Sequence, residues 1–286
     1  MKRMLLAFTF ALALLAREAA ASPLGPDGTP GTRLPGKFVW YDLATEDPAA
    51  SRAFYGAVFG WKFREPPGAP ASYTLIENAS GKVGGMFRRA RPAGARVGAR
   101  WLCVMSVADA SKAAQAVLAR GGQVLVAPTA VPGRGTHAVF RDPGGAPFGV
   151  MVNEGGDPAD TPVADGDFFW LDLFTHDGEG EAAFYAAVGG YEVDEGIVAG
   201  RARILLATNG IARAGIAHLP AGEDKAAWVA YVLVDDVPGT LARATKAGGK
   251  VLVAPRADLL GGNLAVISDP LGGVIGIVNW IDGSSK

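Results

Sequence analysis

The residues best suited to chemistry in this chain are a tryptophan and an aspartate that occur together, two positions apart, in two places. The pairs are Trp40 with Asp42 and Trp170 with Asp172. Each pair lies in an apolar run typical of a β-strand, where side chains two residues apart point to the same face. We therefore predict two ligand-binding sites, each with an aromatic platform and a carboxylate that accepts a donor from a polar or cationic ligand.

A structural role is the alternative for both aspartates. Each carboxylate could cap the adjacent turn or pair with a nearby arginine such as Arg88 or Arg213. Tyr231 has the same strand parity as Val229, so we predict that its hydroxyl adds to the second site. The alternative for Tyr231 is a core tyrosine whose hydroxyl meets water.

Other reactive residue types do not form a recognisable site. Cys103, the single cysteine, lies in an apolar run and is predicted to be a buried, inert thiol. No nucleophile elbow, Walker loop or dinucleotide fingerprint occurs, and the glycines around Arg134 lack the lysine or helix that binding a phosphate requires. Catalytic residues therefore stay unassigned. The histidines have no metal-ligand spacing and are His137, His176 and His218.

The chain carries an internal duplication. The phrase Trp40–Asp47 returns as Trp170–Asp177, 130 residues later (40 to 170), and Gly121–Pro128 returns as Gly248–Pro255, 127 residues later (121 to 248). Repetition at a nearly fixed offset indicates that one folding unit has been copied. We therefore predict two similar halves, each with its own cleft.

The apolar periodicity predicts two βαβββ units in each half. The first unit has a strand from Phe38 to Leu43, a helix that begins after Asp47 and ends at Gly60, and three short strands. The scheme restarts at Trp101 and recurs in the second half. The predicted fold class is α+β, with four βαβββ modules in two paired domains, because a single such sheet cannot cover its own inner face.

The N-terminus predicts export. Lys2 and Arg3 precede an apolar run, and small residues follow at Ala19–Ala21, so residues 1–21 are predicted to be a secretory signal peptide. A retained membrane anchor is the alternative, although the apolar run is shorter than the ~20 residues that span a bilayer. We expect a periplasmic or secreted protein with no membrane span after signal cleavage.

Composition sets the remaining boundaries and excludes one class of partner. A net charge of -1, from 27 basic and 28 acidic residues among 286, gives no field that would attract nucleic acid. With one cysteine there is no internal disulfide. The predicted segments are a flexible leader at 22–36, domain 1 at 37–153, a linker at 154–165 and domain 2 at 166–281.

These features together resemble the vicinal oxygen chelate superfamily, which includes glyoxalase I, extradiol dioxygenases and bleomycin-resistance proteins. The resemblance is carried by the four modules, by Asp47–Tyr55 with Phe59–Trp61 after it, and by the late strand entry Asp142–Gly145. It covers 37–153 and 166–281 and implies a glyoxalase-like fold. Because one fold hosts many chemistries, function has to be argued from the site residues.

The resemblance also implies where a metal would bind. Family enzymes typically place a His seven residues before the Asp that opens the first helix, a second ligand at the first strand of the second unit, and a Glu seven residues after the late Asp-Pro. In this chain the positions read Trp40, Leu102 and Gly149 in the first half, and Trp170, Val229 and Gly276 in the second. Indole rings, aliphatic chains and glycine offer no lone pair suited to a transition metal, so we predict no metal and no cofactor.

Three functions are compatible with the sequence. The leading hypothesis is an exported, metal-free protein that binds a small amphipathic or aromatic molecule in its clefts. The alternative is a lyase or isomerase that acts on a small carbonyl compound and uses a displaced metal or an aspartate base. An interaction module without a ligand pocket is the third. The oligomeric state and the identity of the ligand stay open.

Overall fold

The computed structural model describes residues 25–66, 73–91, 98–198, 200–220, 222 and 224–280. The predicted signal peptide at 1–21 lies outside the described residues. Within the described ranges, no helix has the length and apolar character needed to cross a membrane.

Each half contains eight strands and two α-helices in the described residues, and the second half also has a short 3₁₀ helix at Leu260–Gly262. The first half comprises β1 (Phe38–Thr45), α1 (Pro48–Phe59), β2 (Lys62–Arg64), β3 (Tyr73–Asn78), β4 (Gly81–Arg88), β5 (Ala99–Ser106), α2 (Ala110–Ala119), β6 (Gln123–Val131), β7 (Gly135–Arg141) and β8 (Pro147–Asn153). The second comprises β9 (Phe168–Thr175), α3 (Gly178–Gly189), β10 (Glu192–Val198), β11 (Arg201–Thr208), β12 (Ile211–His218), β13 (Ala227–Leu233), α4 (Val237–Lys246), β14 (Lys250–Val253), β15 (Leu264–Ser268) and β16 (Val274–Val278).

The strands form one eight-stranded sheet per half, with the same topology. The order is β2-β3-β4-β1-β5-β8-β7-β6 in the first half and β10-β11-β12-β9-β13-β16-β15-β14 in the second. Two βαβββ modules therefore join side by side, through the antiparallel pair β1–β5 or β9–β13. The prediction of four modules in two paired domains is confirmed.

The helix boundaries follow from local sequence signals. The Asp47 side chain accepts hydrogen bonds from the backbone N–H groups of Ala49 and Ala50, and Gly60 ends α1 with φ at 70°. An aspartate at this position satisfies N–H groups that have no partner within the helix. A left-handed terminal residue is best supplied by glycine. Asp109 caps α2 in the same manner.

The helices of both halves pack together and form one continuous core between the sheets. Helix α1 packs against α4, and α2 packs against α3, so each helix contacts one from the other half. The two halves exchange hydrogen bonds within this core. The Tyr55 hydroxyl donates to Asp269 Oδ2 over 3.1 Å, and the Tyr185 hydroxyl donates to Asp142 Oδ2 over 2.8 Å. We call these two contacts the interdomain latches.

The described part of the leader, residues 25–36, has no helix or strand but contacts the first domain. Gly25 and Pro26 are buried, and an ideal Cβ on Gly25 would lie 3.6 Å from Cγ of Arg134. Asp27 binds Lys82 Nζ at 2.6 Å. The segment therefore covers part of the sheet face that is turned away from the helices.

The linker is held between the two domains by Asp160. Its carboxylate contacts Arg213 Nη1 at 2.6 Å and Lys37 Nζ at 3.0 Å. The hydrogen bond from Arg213, with support from Lys37, lowers the pKa of Asp160 to about 2. This linker residue thus connects a strand of the second domain to the start of the first.

Candidate ligand-binding clefts

The first cleft, on the face of the first sheet that is turned away from the helices, contains an aspartate with three side-chain donors. Trp40 Nε1 and the Tyr73 hydroxyl donate to Asp42 Oδ1 over 2.9 and 3.0 Å. Arg134 Nη2 donates to Asp42 Oδ2 over 2.6 Å, which makes a buried salt bridge. The guanidinium also lies 5.4 Å from the centre of the Trp40 ring and donates from Nη1 to the Tyr73 hydroxyl over 3.2 Å. We call these four residues the first quartet.

The second cleft contains the same four side-chain types. Trp170 Nε1 donates to Asp172 Oδ1 over 3.1 Å, and Arg203 Nε donates to the same oxygen over 3.3 Å. Tyr231 is buried beside them, and burial, followed by the negative charge of Asp172, raises the pKa of its hydroxyl. These four residues are the second quartet.

The tyrosine and the arginine come from different positions in the two halves. In the strand register, Tyr73 on β3 occupies the place of Arg203 on β11, and Val104 on β5 occupies the place of Tyr231 on β13. At the 127-residue offset, Gly261 stands where the first half has Arg134. The two clefts therefore reach the same composition by different routes.

A glycine under each quartet makes its packing possible. Gly85 pairs with Asp42 in the sheet, and an ideal Cβ on this glycine would lie 1.9 Å from the Tyr73 hydroxyl oxygen. Gly215 pairs with Asp172, and its Cβ would lie 2.5 Å from Oδ1 of that aspartate. Any larger residue at either position would displace the cluster above it.

The two clefts differ in how open they are. Trp40 is fully buried, and the side chain of Arg134 is only 2% exposed. Trp170 is half-buried, and the side chain of Arg203 is 11% exposed. The first cleft is therefore closed in this arrangement, while the second keeps both its indole and its guanidinium within reach of solvent.

The corresponding face of the second sheet also carries more aromatic side chains than that of the first. Counterparts of Val39, Ala44 and Asn153 are aromatic in the second half. Their rings form an apolar cluster with Val229 and Tyr231 and remain half-buried. We call the half-buried aromatic set the aromatic platform, and it consists of Phe169, Trp170, Phe174 and Trp280.

The positions at which the resemblance implies metal ligands do not fit a metal. Both indole nitrogens are donors engaged with aspartates, and a Cβ on Gly276 would lie 2.1 Å from the Tyr231 ring, where no carboxylate side chain has room. A Cβ on Gly149 would lie 2.9 Å from Val104. Within the described residues, no group of three or more His, Cys, Asp or Glu side chains is close enough to hold a metal ion.

The arginines proposed from sequence as partners of the aspartates were wrong. Arg88 is exposed at the end of β4, and Arg213 binds Asp160 in the linker. The structural alternative itself was correct in kind, since both Asp42 and Asp172 pair with an arginine. Tyr73, Arg134 and Arg203 were missed. Alignment of the two halves could have suggested them, because Tyr73 corresponds to Arg203 and Arg134 corresponds to Gly261.

The remaining candidates are not members of either quartet. Cys103 is buried, and burial raises the pKa of its thiol, in line with an inert role. His137 is buried, and burial followed by the charge of Arg134 lowers its pKa well below the usual value. The rings of His176 and His218 contact each other with centroids 5.7 Å apart.

Two surface cavities are lined mainly by other residues. One, of about 340 Å³, lies between Arg33 of the leader and strands β6 to β8. The other, of about 530 Å³, lies by the start of α3, and its wall includes Arg203, Ile204, Ile216 and His218. Both isoleucines pack against the helix-side core, so this cavity lies mainly on the helix side of the sheet, and Arg203 is the one residue of the second quartet that borders it.

The fold and the paired clefts define a duplicated two-domain α+β protein of the glyoxalase-like class. A family model, the Glyoxalase/Bleomycin resistance protein/Dioxygenase superfamily, matches residues 37–150. Anthracycline biosynthesis protein DnrV of Streptomyces peucetius is 32% identical over 267 residues, which cover 87% of this chain and 95% of the relative. The chain therefore belongs to this superfamily, the vicinal oxygen chelate superfamily.

Two further comparisons agree with this placement. The Mycobacterium tuberculosis protein named "Putative glyoxylase CFP32" is 29% identical over 247 residues, covering 84% of this chain and 93% of the relative. The crystal structure of the Mn(II)-bound glyoxalase from Novosphingobium aromaticivorans superimposes with a TM-score of 0.60 at 18% identity and covers 86% of this chain and 83% of that one. At that identity the structural match shows the fold alone.

Proposed function

We propose that this protein binds a small aromatic or amphipathic molecule, without a metal, in the cleft of its second domain. The observation that carries the proposal is the half-buried aromatic platform beside a guanidinium that is within reach of solvent. Large aromatic surfaces are normally buried in a soluble protein, and those that stay accessible next to a few polar groups are typical of ligand sites.

The contrast between the halves supports the choice of domain. In the first cleft Arg134 occupies the space above Trp40, and the leader lies against Arg134. In the second half, position 261 is a glycine, so this position places no guanidinium above Trp170. Binding roles for Trp170, Asp172 and Tyr231 thus remain part of the proposal, with Asp172 holding Arg203 in place. Trp40 and Asp42 are expected to stabilise the first domain instead.

The named functions of the relatives are compatible with an aromatic ligand. DnrV is described as an anthracycline biosynthesis protein, and its match covers both halves of this chain. The proposal for this chain rests on its own residues, because the shared fold hosts many activities.

The test is calorimetric titration of the full-length mature chain with a panel of small aromatic compounds. We expect at least one compound to bind and Trp170→Ala to abolish that binding. The control is Trp40→Phe, at the equivalent position of the first domain, which should retain it. Retention of every binding event in Trp170→Ala would contradict the proposal. So would sedimentation data showing that a second copy of the chain covers the aromatic platform.

An enzyme is the second candidate, and the name glyoxylase carried by the mycobacterial relative favours it. Such an enzyme would be a lyase or isomerase acting on a small carbonyl compound. An aspartate base is disfavoured, because Asp42 and Asp172 already accept hydrogen bonds from neighbouring side chains. Stoichiometric zinc, nickel, iron or manganese in protein purified without chelators would favour the enzyme and count against metal-free binding.

We also propose that the chain is exported, on the basis of the charge and apolar pattern of residues 1–21. The mature protein recovered outside the cytoplasm should then begin at Ser22. An intact N-terminus in the mass spectrum of the native protein would contradict this.

A further inference from the structure

We propose that the second cleft selects flat aromatic molecules that carry a hydrogen-bond-accepting oxygen, neutral or singly negative, on the edge of the ring. In this arrangement the oxygen is bound by Nη2 of Arg203 while the ring stacks on the aromatic platform. The inference rests on the proposed function and specifies the chemical class of its ligand.

Arg203 makes two hydrogen bonds within the described part of the protein and leaves one nitrogen unused. Its Nε donates to Asp172 Oδ1 over 3.3 Å, and its Nη1 donates to the carbonyl oxygen of Ala202 over 3.0 Å. Among the described residues, Nη2 has no hydrogen-bond partner, and it is absent from the buried polar atoms that lack one. A planar guanidinium is therefore held by two of its nitrogens and presents the third to solvent.

The first quartet shows what the same group does when its cleft is closed. Arg134 donates from Nη2 to Asp42 and from Nη1 to the Tyr73 hydroxyl, and it lies above the Trp40 ring. Both terminal nitrogens are thus used within the protein. The Tyr73 hydroxyl therefore shows that an oxygen on an aromatic ring can accept a hydrogen bond from an arginine that is paired with the Trp–Asp motif.

Hydrogen-bonding capacity, rather than net charge, determines which groups suit the second cleft. Asp172 balances Arg203, and at the rim Asp258 pairs with both Arg201 and Arg256. These five groups sum to one positive charge, and Asp194 on β10, which pairs with Leu205 on the same face as Arg203, offsets it. A carbonyl, a phenolate or a single carboxylate is favoured because each accepts a hydrogen bond from Nη2 of Arg203, whereas an ammonium group can only donate.

The test compares matched probes on the full mature chain by calorimetry. The probes are 2-acetylnaphthalene and 2-ethylnaphthalene, which differ by one carbonyl oxygen, together with 2-naphthoate and 2-naphthylmethylammonium. A hydrogen bond from a charged donor corresponds to about tenfold in affinity or more. We expect the acetyl compound and the carboxylate to bind at least about tenfold more tightly than the ethyl compound, and the ammonium compound to bind weakest.

Variants assign the preference to one residue. Arg203→Met should reduce the acetyl-to-ethyl ratio to near one, and Arg203→Lys should restore part of it. The control Arg201→Met, two residues along the same strand, should leave the ratio unchanged. Equal affinities for the acetyl and ethyl compounds in the unsubstituted chain, with binding that still needs Trp170, would overturn this inference and leave the proposed function standing. Failure of every probe to bind would overturn both.

Discussion

At the scale of single residues, the most unusual electrostatic feature is a pair of buried carboxyl groups at one interdomain latch. Glu181 is 2% exposed, and its Oε1 accepts a hydrogen bond from the Gly144 N–H over 2.6 Å, while its Oε2 is buried without a partner among the described residues. Burial, followed by the charge of Asp142, raises the pKa of Glu181 to about 8. Burial also raises the pKa of Asp142 to about 6, against the hydrogen bonds from Tyr185 and Ala146.

This pair predicts a stability that falls as pH rises. An acid whose pKa is raised on folding binds a proton more tightly in the native state. The contribution of Glu181 to the free energy of unfolding is therefore greatest below its unfolded-state pKa of about 4.5, and it declines as the pH rises towards 8. Glu181→Gln should flatten the decline between pH 7 and 8, which for one proton is at most about 1.4 kcal/mol per pH unit. Urea unfolding across that range measures it, and His137 contributes little there because most of the unfolded-state imidazole is already neutral.

The control for this prediction is Glu179→Gln, an exposed glutamate on the same helix that makes the same change in charge. It should leave the pH dependence as it is. Equal slopes in Glu181→Gln and the unsubstituted chain would show that the native state does not retain the extra proton.

At the scale of elements, the central strand pair β13–β16 shows how the second cleft is built. Tyr231 lies beside Gly276 in parallel register, and its ring occupies the volume that any side chain at 276 would need. In the first half, Val104 lies beside Gly149 in the same way. In both domains, the volume that the family's carboxylate ligand would need is thus occupied by a side chain of the neighbouring strand, Tyr231 or Val104.

Gly276→Ala should therefore destabilise the protein by about 1–3 kcal/mol through overpacking against Tyr231. Combining it with Tyr231→Val should recover much of that loss, because valine is the residue found at the equivalent position 104. A double-mutant cycle from urea unfolding gives the coupling energy. Strict additivity of the two substitutions would mean that the ring and the backbone at 276 are not in contact.

At the scale of the whole molecule, the two domains share one core and depend on each other. Tyr55 bridges Trp101 Nε1 of its own domain and Asp269 of the other, and Tyr185 bridges Trp228 and Asp142 in the same way. Each latch therefore places a carboxylate of one domain under a hydroxyl of the other. We expect both domains to unfold in a single transition.

Removal of one latch hydroxyl should lower the stability of both domains together. Tyr185→Phe leaves a buried carboxylate oxygen and an indole N–H without their partner, which costs about 1–3 kcal/mol. Calorimetry should show one shifted transition. Tyr41→Phe is the control, since the Tyr41 hydroxyl donates no hydrogen bond within the described residues although the ring stacks on Phe168 across the interface. Two separated transitions would contradict a common core.

The sequence predicted the fold far better than the clefts, for physical reasons. Caps such as Asp47 and Gly60, and the apolar periodicity between them, are local signals that fix an element within one or two residues. The ion pairs of Asp42 and Asp172 join residues 92 and 31 positions apart, and they depend on a register that exists only after the sheet forms. Nothing in the composition of the leader indicated that Asp27 would bind Lys82.

The exchanged positions of tyrosine and arginine constrain how the gene can change. If recombination copied β3 over β11, the second cleft would gain a second tyrosine and lose its guanidinium, which would leave Asp172 without a counter-ion. The reverse exchange would crowd two arginines around Asp42. A buried charge left alone is strongly destabilising, so we expect either exchange to lower the stability of the domain that receives the copied strand.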